Sequence, residues 1–231
     1  MTNKKITFMA SDDLEAKEAL NKLRKLYKDF KIDEADVVVA LGGDGFMLQT
    51  LKSLSAKNTS VYGMNKGTVG FLMNTFDYDN LQERIQIAKE EIVHPLKMIA
   101  TKIDGRIEEE LAINEVSILR QSRQAANLSI KNNKKNIIKR LVSDGVLIST
   151  PAGSTAYNLS VYGPILSLNS KKISIAPISA FRPRRWAGKI VSDKSKVIIT
   201  NLDFKKRPIS AVADNVEVRN AKKITVKVQS K

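Results

Sequence analysis

Residues 34–51 read EADVVVALGGDGFMLQTL and contain, in order, a β-branched apolar run, a glycine-rich turn and a second apolar stretch. The run that ends at Leu41 predicts a strand buried on both faces of a parallel sheet. Apolar side chains with helical spacing follow at Met47, Leu51 and Leu54. A strand that leads through a glycine turn into a helix is typical of an open α/β sheet, so this segment predicts the fold class of the first part of the chain.

The segments on either side of this stretch continue the alternation of strand and helix. Short apolar runs at 5–10 and 60–64 predict further strands. Apolar residues with helical spacing between 20 and 30, and again from about 79 to 91, predict helices. This order predicts an α/β domain in which helices pack on a parallel sheet.

From about residue 95 the pattern changes to an alternation of period two. KMIATKI (97–103) and RIEEELAINEVSIL (106–119) are both typical of strands, and we expect the second to form one continuous strand. They are joined by Asp104-Gly105, a pair that favours a tight hairpin turn. Further strand-like runs follow up to the C-terminus, so this part of the chain is predicted to be mainly β.

The change of pattern predicts two domains, an α/β domain at residues 1–94 and a mainly-β domain at 95–231, and leaves open whether the C-terminal tail returns to the first domain. With 42% hydrophobic and 27% charged residues, the 231-residue chain has the composition of a folded globular protein. No apolar run approaches the roughly 18 residues of a membrane span, and the N-terminus lacks the pattern of a secretory signal. We therefore expect a cytoplasmic protein with no membrane partner.

Cysteine is absent and His94 is the single histidine, which limits the possible chemistry. These counts exclude zinc sites, iron–sulfur clusters, thiol nucleophiles and multi-histidine metal centres. Any bound metal must use oxygen ligands. A Ser-His-Asp hydrolase would depend on His94, and no nucleophile-elbow motif accompanies it.

The positive charge is concentrated in the second half of the chain. Residues 1–120 hold 17 basic and 19 acidic side chains, whereas residues 121–231 hold 22 basic and 5 acidic ones. Such a surface attracts phosphate-bearing partners, from nucleotides to nucleic acids. An aromatic content of only 6% and the lack of a recognition motif argue against nucleic acid.

The glycine-rich turn is the first candidate site. Gly42, Gly43 and Gly45 would let backbone amides approach phosphate oxygens at the N-terminus of the following helix. Asp44 would repel a phosphate unless it takes a proton, binds a metal or holds a ribose hydroxyl. It could also simply cap the helix through its side chain.

Two further candidates lie in the second half of the chain. The bend Ser149–Thr155 is dense in hydroxyls and could hold sugar hydroxyls, a carboxamide or phosphates, or could be a turn before a helix capped by Ser154 or Thr155. Asn114 and Glu115 interrupt an apolar strand and need partners if they face inward. One of the two could instead face solvent, because neighbouring side chains of a strand point to opposite faces.

Taken together, these stretches resemble the NAD kinase family. The matching segments, in order, are LGGDGFML (41–48), NKGTVGFL (65–72), LAINEVSILR (111–120), SDGVLISTPAGSTAYNLSVYGPIL (143–166) and ISAFRPRR (178–185). The glycine turn alone is shared with diacylglycerol kinases, sphingosine kinases and 6-phosphofructokinases. The long hydroxyl-rich segment combined with Asn-Glu is highly specific.

The resemblance implies the two-domain fold of the NAD kinase and diacylglycerol kinase type. It implies transfer of the γ-phosphoryl group of ATP, or of a phosphoryl group of polyphosphate, to the 2′-hydroxyl of the adenosine ribose of NAD. A divalent metal cation, Mg²⁺, would assist this transfer. The partners implied are NAD and ATP, and a homodimer or homotetramer is expected.

The resemblance also assigns roles to particular residues. Asp44 corresponds to the general base. The residues that correspond to phosphate contacts are Gly42, Gly43 and Gly45. The resemblance assigns no protein ligand to a metal. The residues implied in NAD binding are Asp44, Gly45, Phe71, Asn114, Glu115, Asp144, Ala152, Thr155, Ala156, Tyr157, Asn158, Leu159, Ser160 and Asn215. The loop Ala213-Asp214-Asn215 departs from the family pattern, which often has glutamine in the last position.

Three other functions are compatible with parts of the sequence. A lipid kinase of the diacylglycerol type would share the glycine turn and a β-rich second domain, but would lack the Asn-Glu and Gly-Ser-Thr-Ala-Tyr segments. A catalytically silent NAD-binding protein would bind NAD without turnover. A nucleic-acid-binding protein would use the cationic half, and its affinity would fall steeply with salt.

Overall fold

The computed structural model describes residues 3–55, 57, 59–65 and 72–229. The chain divides into two compact units, Met1–Glu90 (unit 1) and Glu91–Lys231 (unit 2). The described elements of unit 1 are β1 (Ile6–Ala10), α1 (Leu14–Leu26), β2 (Val37–Leu41), α2 (Asp44–Ser53), β3 (Ser60–Asn65), β4 (Asn74–Thr75) and α3 (Leu81–Ile87).

Unit 1 is a parallel sheet in the order β1-β2-β3-β4. All five residues of β2 are buried, as its β-branched composition predicts. Helix α1 is rich in strong helix formers, and it buries the face that carries Ala16, Ala19 and Leu23. In the register of the sheet, Leu41 lies beside both Ala10 and Met64, so β1, β2 and β3 end at one edge. The glycine turn that follows Leu41 therefore lies at the edge where open α/β sheets bind ligands.

Unit 2 is dominated by antiparallel strands. Its described elements are β5 (Leu96–Lys102), β6 (Ile107–Ala112), β7 (Glu115–Arg120), β8 (Ala126–Asn132), β9 (Lys135–Ser143), β10 (Gly145–Ser149), a 3₁₀ helix (Ala152–Thr155), α4 (Tyr157–Ser160), β11 (Lys172–Ile178), β12 (Lys189–Ser192), β13 (Val197–Asn201), β14 (Ile209–Ala213) and β15 (Val216–Val228). The strands follow the order β12-β11-β10-β7-β14-β15-β13-β8-β9, and β15 also pairs with the β5–β6 hairpin. Alternate residues of these strands form a common core of Val, Ile, Leu and Ala side chains.

The hairpin turn predicted at Asp104-Gly105 is present between β5 and β6. Gly105 has φ +88°, a left-handed conformation that glycine adopts without steric cost. The Asp104 carboxylate accepts hydrogen bonds from the backbone N–H and the side chain of Arg106. The turn chemistry of this sequence thus determines where the chain reverses.

The expectation of one continuous strand over 106–119 is wrong. Strand β6 ends at Ala112 and β7 begins at Glu115, with a bend at Ile113 and Asn114. The two strands pair with different neighbours, β6 with β5, and β7 with β10 and β14. The chain must therefore change direction between β6 and β7. The alternating sequence pattern does not predict this bend.

The expected fold class is confirmed, since a parallel α/β unit precedes a mainly-β unit. The helix expected from about 79 to 91 is shorter, running from Leu81 to Ile87. Among the helices within the described ranges, none is long and apolar enough to cross a membrane.

Candidate functional site

The glycine turn, residues 42–45, connects β2 to α2. The N–H of Gly42 donates a hydrogen bond to the carbonyl of Met64 on the neighbouring strand at 3.3 Å. A Cβ atom at Gly42 would lie 3.0 Å from Cβ of Phe46 and 3.2 Å from Cβ of Ser11. A side chain would therefore be crowded at this position, which explains a glycine there without reference to a ligand.

Gly43 and Gly45 have the opposite environment. Both are exposed, and a Cβ atom at either position would have no heavy atom within 4 Å. Gly43 is the N-cap of α2, a helix of ten residues. Because backbone N–H groups and the helix dipole point outward at such an end, the turn suits the phosphate contacts expected from the sequence.

Asp44 is the first residue of α2 and is half-buried. Its Oδ1 atom accepts a hydrogen bond from the backbone N–H of Leu72 at 3.2 Å, so the carboxylate also links the turn to the segment after β3. The N-cap position belongs to Gly43. A carboxylate held at a helix N-terminus among glycines can accept a proton from a hydroxyl group brought to the turn.

In unit 2, the residues 113–115, here called the strand junction, contact the residues 149–155, here called the hydroxyl turn. The N–H of Thr150 donates to the carbonyl of Asn114 at 2.9 Å, and its hydroxyl donates to the carbonyl of Ile113 at 2.7 Å. The same hydroxyl accepts a hydrogen bond from the N–H of Gly153 at 2.9 Å. Two of the sequence-predicted site segments are thus adjacent and share one buried threonine.

The backbone of Gly153 lies close to that of Asn114. A Cβ atom there would lie 2.2 Å from the carbonyl oxygen of Asn114 and 2.5 Å from its Cα atom. These are backbone atoms that cannot rotate away. Any side chain at this position would therefore force the hydroxyl turn away from Asn114.

Asp214, which the sequence reasoning did not select as a site residue, holds the other side of the strand junction. Its carboxylate accepts hydrogen bonds from the backbone N–H groups of Ile113 (2.8 Å), Asn114 (3.0 Å) and Glu115 (3.2 Å). Asp214 lies in the two-residue turn between β14 and β15 with φ +51°, and its N–H donates to the carbonyl of Glu115 at 3.1 Å. Asp-Asn between two strand-like runs is a turn signal, but its partners lie about 100 residues away in sequence.

Glu115 is largely buried at the start of β7, and its Oε2 atom has no hydrogen-bond partner among the described residues. Burial, together with a smaller effect of the nearby Asp214 charge, raises the pKa of this carboxyl group to about 7. A buried carboxyl group with an unpaired oxygen is suited to bind hydroxyl groups of a ligand.

The raised pKa of Glu115 predicts a pH-dependent stability. Below pH 4.5 the group is protonated in both the folded and the unfolded chain, whereas above pH 7 the folded chain must hold an unfavourable buried charge. Its favourable contribution is therefore lost as the pH rises from 4.5 to 7. We expect Glu115→Gln to raise the free energy of unfolding by about 3 kcal/mol at pH 8 and to have little effect at pH 4.

Urea unfolding of the wild type and of Glu115→Gln at both pH values measures this difference. A difference between the two proteins that is the same at pH 4 and pH 8 would contradict the assigned ionisation.

The segment that follows the hydroxyl turn carries the remaining predicted NAD contacts. Ala152 is buried in the 3₁₀ helix, Thr155, Ala156 and Tyr157 are half-buried, and Leu159 and Ser160 are exposed. Asn158 is buried, and its Nδ2 atom donates to the carbonyls of Ser154 and Pro164, while its Oδ1 atom has no partner among the described residues. The side-chain amide thus holds the ends of this loop together, and an NAD contact from Asn158 stays a prediction.

The structure does not bring every predicted residue to the strand junction. Asp144 precedes β10, whereas the hydroxyl turn follows it, so a five-residue strand of roughly 17 Å separates the two. The Asp144 carboxylate forms an ion pair with Arg120. Asn215 is exposed beside Asp214, and Phe71 lies outside the described residues.

The described residues do not form a cluster of protein ligands for the divalent metal expected from the sequence. Within the described residues, no group of three or more His, Cys, Asp or Glu side chains could hold a metal ion. At the glycine turn, Asp44 supplies one carboxylate.

Comparison with known families covers nearly the whole chain. The ATP-NAD kinase N-terminal domain matches residues 1–94, and the ATP-NAD kinase C-terminal domain matches residues 99–230. The NAD kinase of Hyphomonas neptunium is 49% identical over 226 residues, which cover 98% of this chain and 89% of that protein.

Two solved structures share the fold. A yeast NADH kinase complexed with NADH has a TM-score of 0.83 at 21% identity and covers 99% of this chain and 81% of its own. A NAD kinase from Archaeoglobus fulgidus in complex with ATP has a TM-score of 0.74 at 23% identity and covers 97% and 90%. The two domain matches and the 49% identity to the Hyphomonas neptunium protein agree with this fold. They show that the chain belongs to the ATP-NAD kinase family.

Proposed function

We propose that this chain is a NAD kinase that transfers the γ-phosphoryl group of ATP to the 2′-hydroxyl of the adenosine ribose of NAD, giving NADP and ADP. The observation that carries this proposal is the placement of Asp44 as the first residue of α2, in a glycine turn at the ligand-binding edge of a parallel sheet. Membership of the ATP-NAD kinase family supports the same reaction.

In this proposal, Asp44 orients the ribose hydroxyl and accepts its proton as the oxygen attacks the γ-phosphorus. A new P–O bond forms to the ribose, the bond between the γ-phosphorus and the β–γ bridging oxygen breaks, and ADP leaves with the electron pair. Backbone amides at Gly43 and Gly45 contact the phosphates. Mg²⁺ bound to ATP would neutralise part of the triphosphate charge.

The residues of unit 2 have a binding role in the proposal. Asn114 and Glu115 bind the dinucleotide, and the hydroxyl turn with the segment up to Ser160 lines its pockets. The support is local. Short hydrogen bonds join the strand junction to the hydroxyl turn, and within the junction the buried Oε2 atom of Glu115 has no partner among the described residues.

The decisive experiment is an assay of NADP formation from NAD with ATP and Mg²⁺, repeated with polyphosphate as donor. NADP formed with ATP supports the proposal, and the ratio of the rates with ATP and with polyphosphate identifies the preferred donor. A parallel assay with diacylglycerol as acceptor tests the lipid kinase alternative. Phosphorylation of the lipid without NADP formation would overturn the proposal, and so would the absence of turnover with both donors.

A methyl group added to the glycine turn tests the phosphate contacts. In Gly45→Ala the new Cβ atom meets no protein atom within 4 Å, and alanine is favoured over glycine in a helix by about 1 kcal/mol, so we expect stability to be unchanged or slightly higher. If phosphate oxygens approach this backbone, kcat/KM should fall by on the order of 10- to 100-fold, equivalent to about one or two hydrogen bonds. Full activity in this variant would place the phosphates elsewhere.

A homodimer or homotetramer and a cytoplasmic location stay predictions. Four large side chains within ten residues, Leu159, Tyr162, Ile165 and Leu168, are between 43% and 96% exposed. Apolar side chains grouped in this way are typical of a protein–protein interface. Light scattering should therefore give a multiple of the 25.7 kDa chain mass, and a monomer at all concentrations would contradict the prediction.

A further inference from the structure

We propose that Asp214 is a positioning residue for substrate binding: by holding three consecutive backbone N–H groups of the strand junction, it sets the directions in which the Asn114 and Glu115 side chains point. The inference rests on the proposed function, in which these two side chains bind NAD. It concerns a residue that neither the composition nor the motifs of the chain select.

The first argument is the geometry of the carboxylate. Oδ2 of Asp214 accepts from the N–H of Ile113 at 2.8 Å, and Oδ1 accepts from those of Asn114 and Glu115 at 3.0 and 3.2 Å. In the reverse direction, the N–H of Asp214 donates to the carbonyl of Glu115 at 3.1 Å. Successive N–H groups that converge on one anion require a bent backbone, because in an extended strand they point alternately to opposite sides.

The second argument is that the junction is held from both sides. While Asp214 binds its N–H groups, Thr150 binds the carbonyls of Ile113 and Asn114, and Gly153 packs against the Asn114 backbone. The three peptide groups therefore have little freedom to rotate. Because the backbone determines where each Cβ atom points, this arrangement sets the directions of Asn114 and Glu115 and allows them to differ from those of a regular strand.

The third argument is electrostatic. Asp214 is a charged neighbour that raises the pKa of the Glu115 carboxyl group, in addition to the effect of burial. Ser149, which pairs with Glu115 across the sheet, is uncharged. Loss of the Asp214 charge should therefore shift the ionisation of Glu115 to lower pH, a readout that a purely structural role would not produce.

The test compares Asp214→Asn with Asp203→Asn, which makes the same change of charge in unit 2. Asp203 pairs with Arg207 in the turn between β13 and β14. NAD affinity is measured by calorimetry, ATP affinity serves as an internal control, and circular dichroism verifies folding. We expect the Kd for NAD of Asp214→Asn to rise on the order of 10- to 100-fold, since one charged acceptor of three hydrogen bonds is lost.

Two further results are expected if the inference is correct. The Kd for ATP should change less than threefold, and the midpoint of the pH dependence of NAD binding should move to lower pH in Asp214→Asn but not in Asp203→Asn. The inference would be overturned if Asp214→Asn and Asp203→Asn had the same Kd for NAD and the same pH midpoint. This holds even if Asp214→Asn were less stable.

Two remaining outcomes also decide the question. If Asp214→Asn does not fold, Asp214→Ser, which keeps one acceptor oxygen, replaces it, and failure of both to fold would assign Asp214 to folding and overturn the inference. If the wild type binds no NAD and forms no NADP, the proposed function itself fails. These failures are distinguishable, because the second is visible without any variant.

Discussion

Asp44→Asn is expected to lower kcat for NADP formation by about 10²- to 10⁴-fold, the usual contribution of general-base assistance. Asparagine keeps the size and one oxygen of the side chain, so the hydrogen bond from the Leu72 backbone N–H can persist. What it loses is the ability to accept a proton from the ribose hydroxyl. We therefore expect the Kd for NAD to remain within a few-fold of the wild-type value, which separates a loss in the chemical step from a loss of binding.

A matched control for this variant is Asp36→Asn. Asp36 lies just before β2, whereas the glycine turn follows that strand, and its carboxylate accepts a hydrogen bond from the backbone N–H of Lys5 at 2.8 Å. The same change of charge is thus made at the opposite edge of the sheet, and turnover should be close to that of the wild type. Near-normal turnover of Asp44→Asn would refute the assignment of Asp44 as the general base.

Gly153→Ala is expected to lower the free energy of unfolding by about 4 kcal/mol, in the range reserved for severe steric conflicts. The new Cβ atom would lie 2.2 Å from the carbonyl oxygen and 2.4 Å from the carbonyl carbon of Asn114. Relief requires the hydroxyl turn to move away from the strand junction, which would break the hydrogen bonds of Thr150. Fractions of the variant that remain folded should therefore also bind NAD more weakly.

Gly45→Ala provides the matched glycine-to-alanine control for stability, because its Cβ atom meets nothing within 4 Å. Urea unfolding of the wild type, Gly45→Ala and Gly153→Ala gives the three free energies of unfolding to be compared. A loss of less than about 1 kcal/mol in Gly153→Ala would show that the two segments can separate easily, and that the close approach at Gly153 does not define the site.

Much of the fold could be predicted because the relevant signals are local. The buried run ending at Leu41, the glycine turn and the helical spacing after it predict a strand, turn and helix within 20 residues of one another. The hairpin at Asp104-Gly105 is determined by the backbone preferences of two residues. Such preferences act within the segment itself, so no knowledge of distant contacts is needed.

The candidate site could be predicted only in part. The glycine turn with Asp44, and the presence of Asn114, Glu115 and the hydroxyl turn, follow from local patterns and the family resemblance. The break of the predicted strand at Ile113 and Asn114 does not, because the two halves pair with different strands. Asp144 lies at the other end of β10 from the hydroxyl turn, and its contact with NAD stays a prediction.

The sequence by itself determined the two fold classes, the chemistry available without cysteine and the positions of the charged and hydroxyl-bearing segments. Only the tertiary structure decided that Asp214 holds the strand junction, that Gly153 lies against Asn114 and that a carboxylate oxygen of Glu115 is buried without a partner among the described residues. The physical reason is sequence separation. Asp214 and Asn114 are 100 residues apart, and their hydrogen bonds exist only after the strands that carry them have paired in one register.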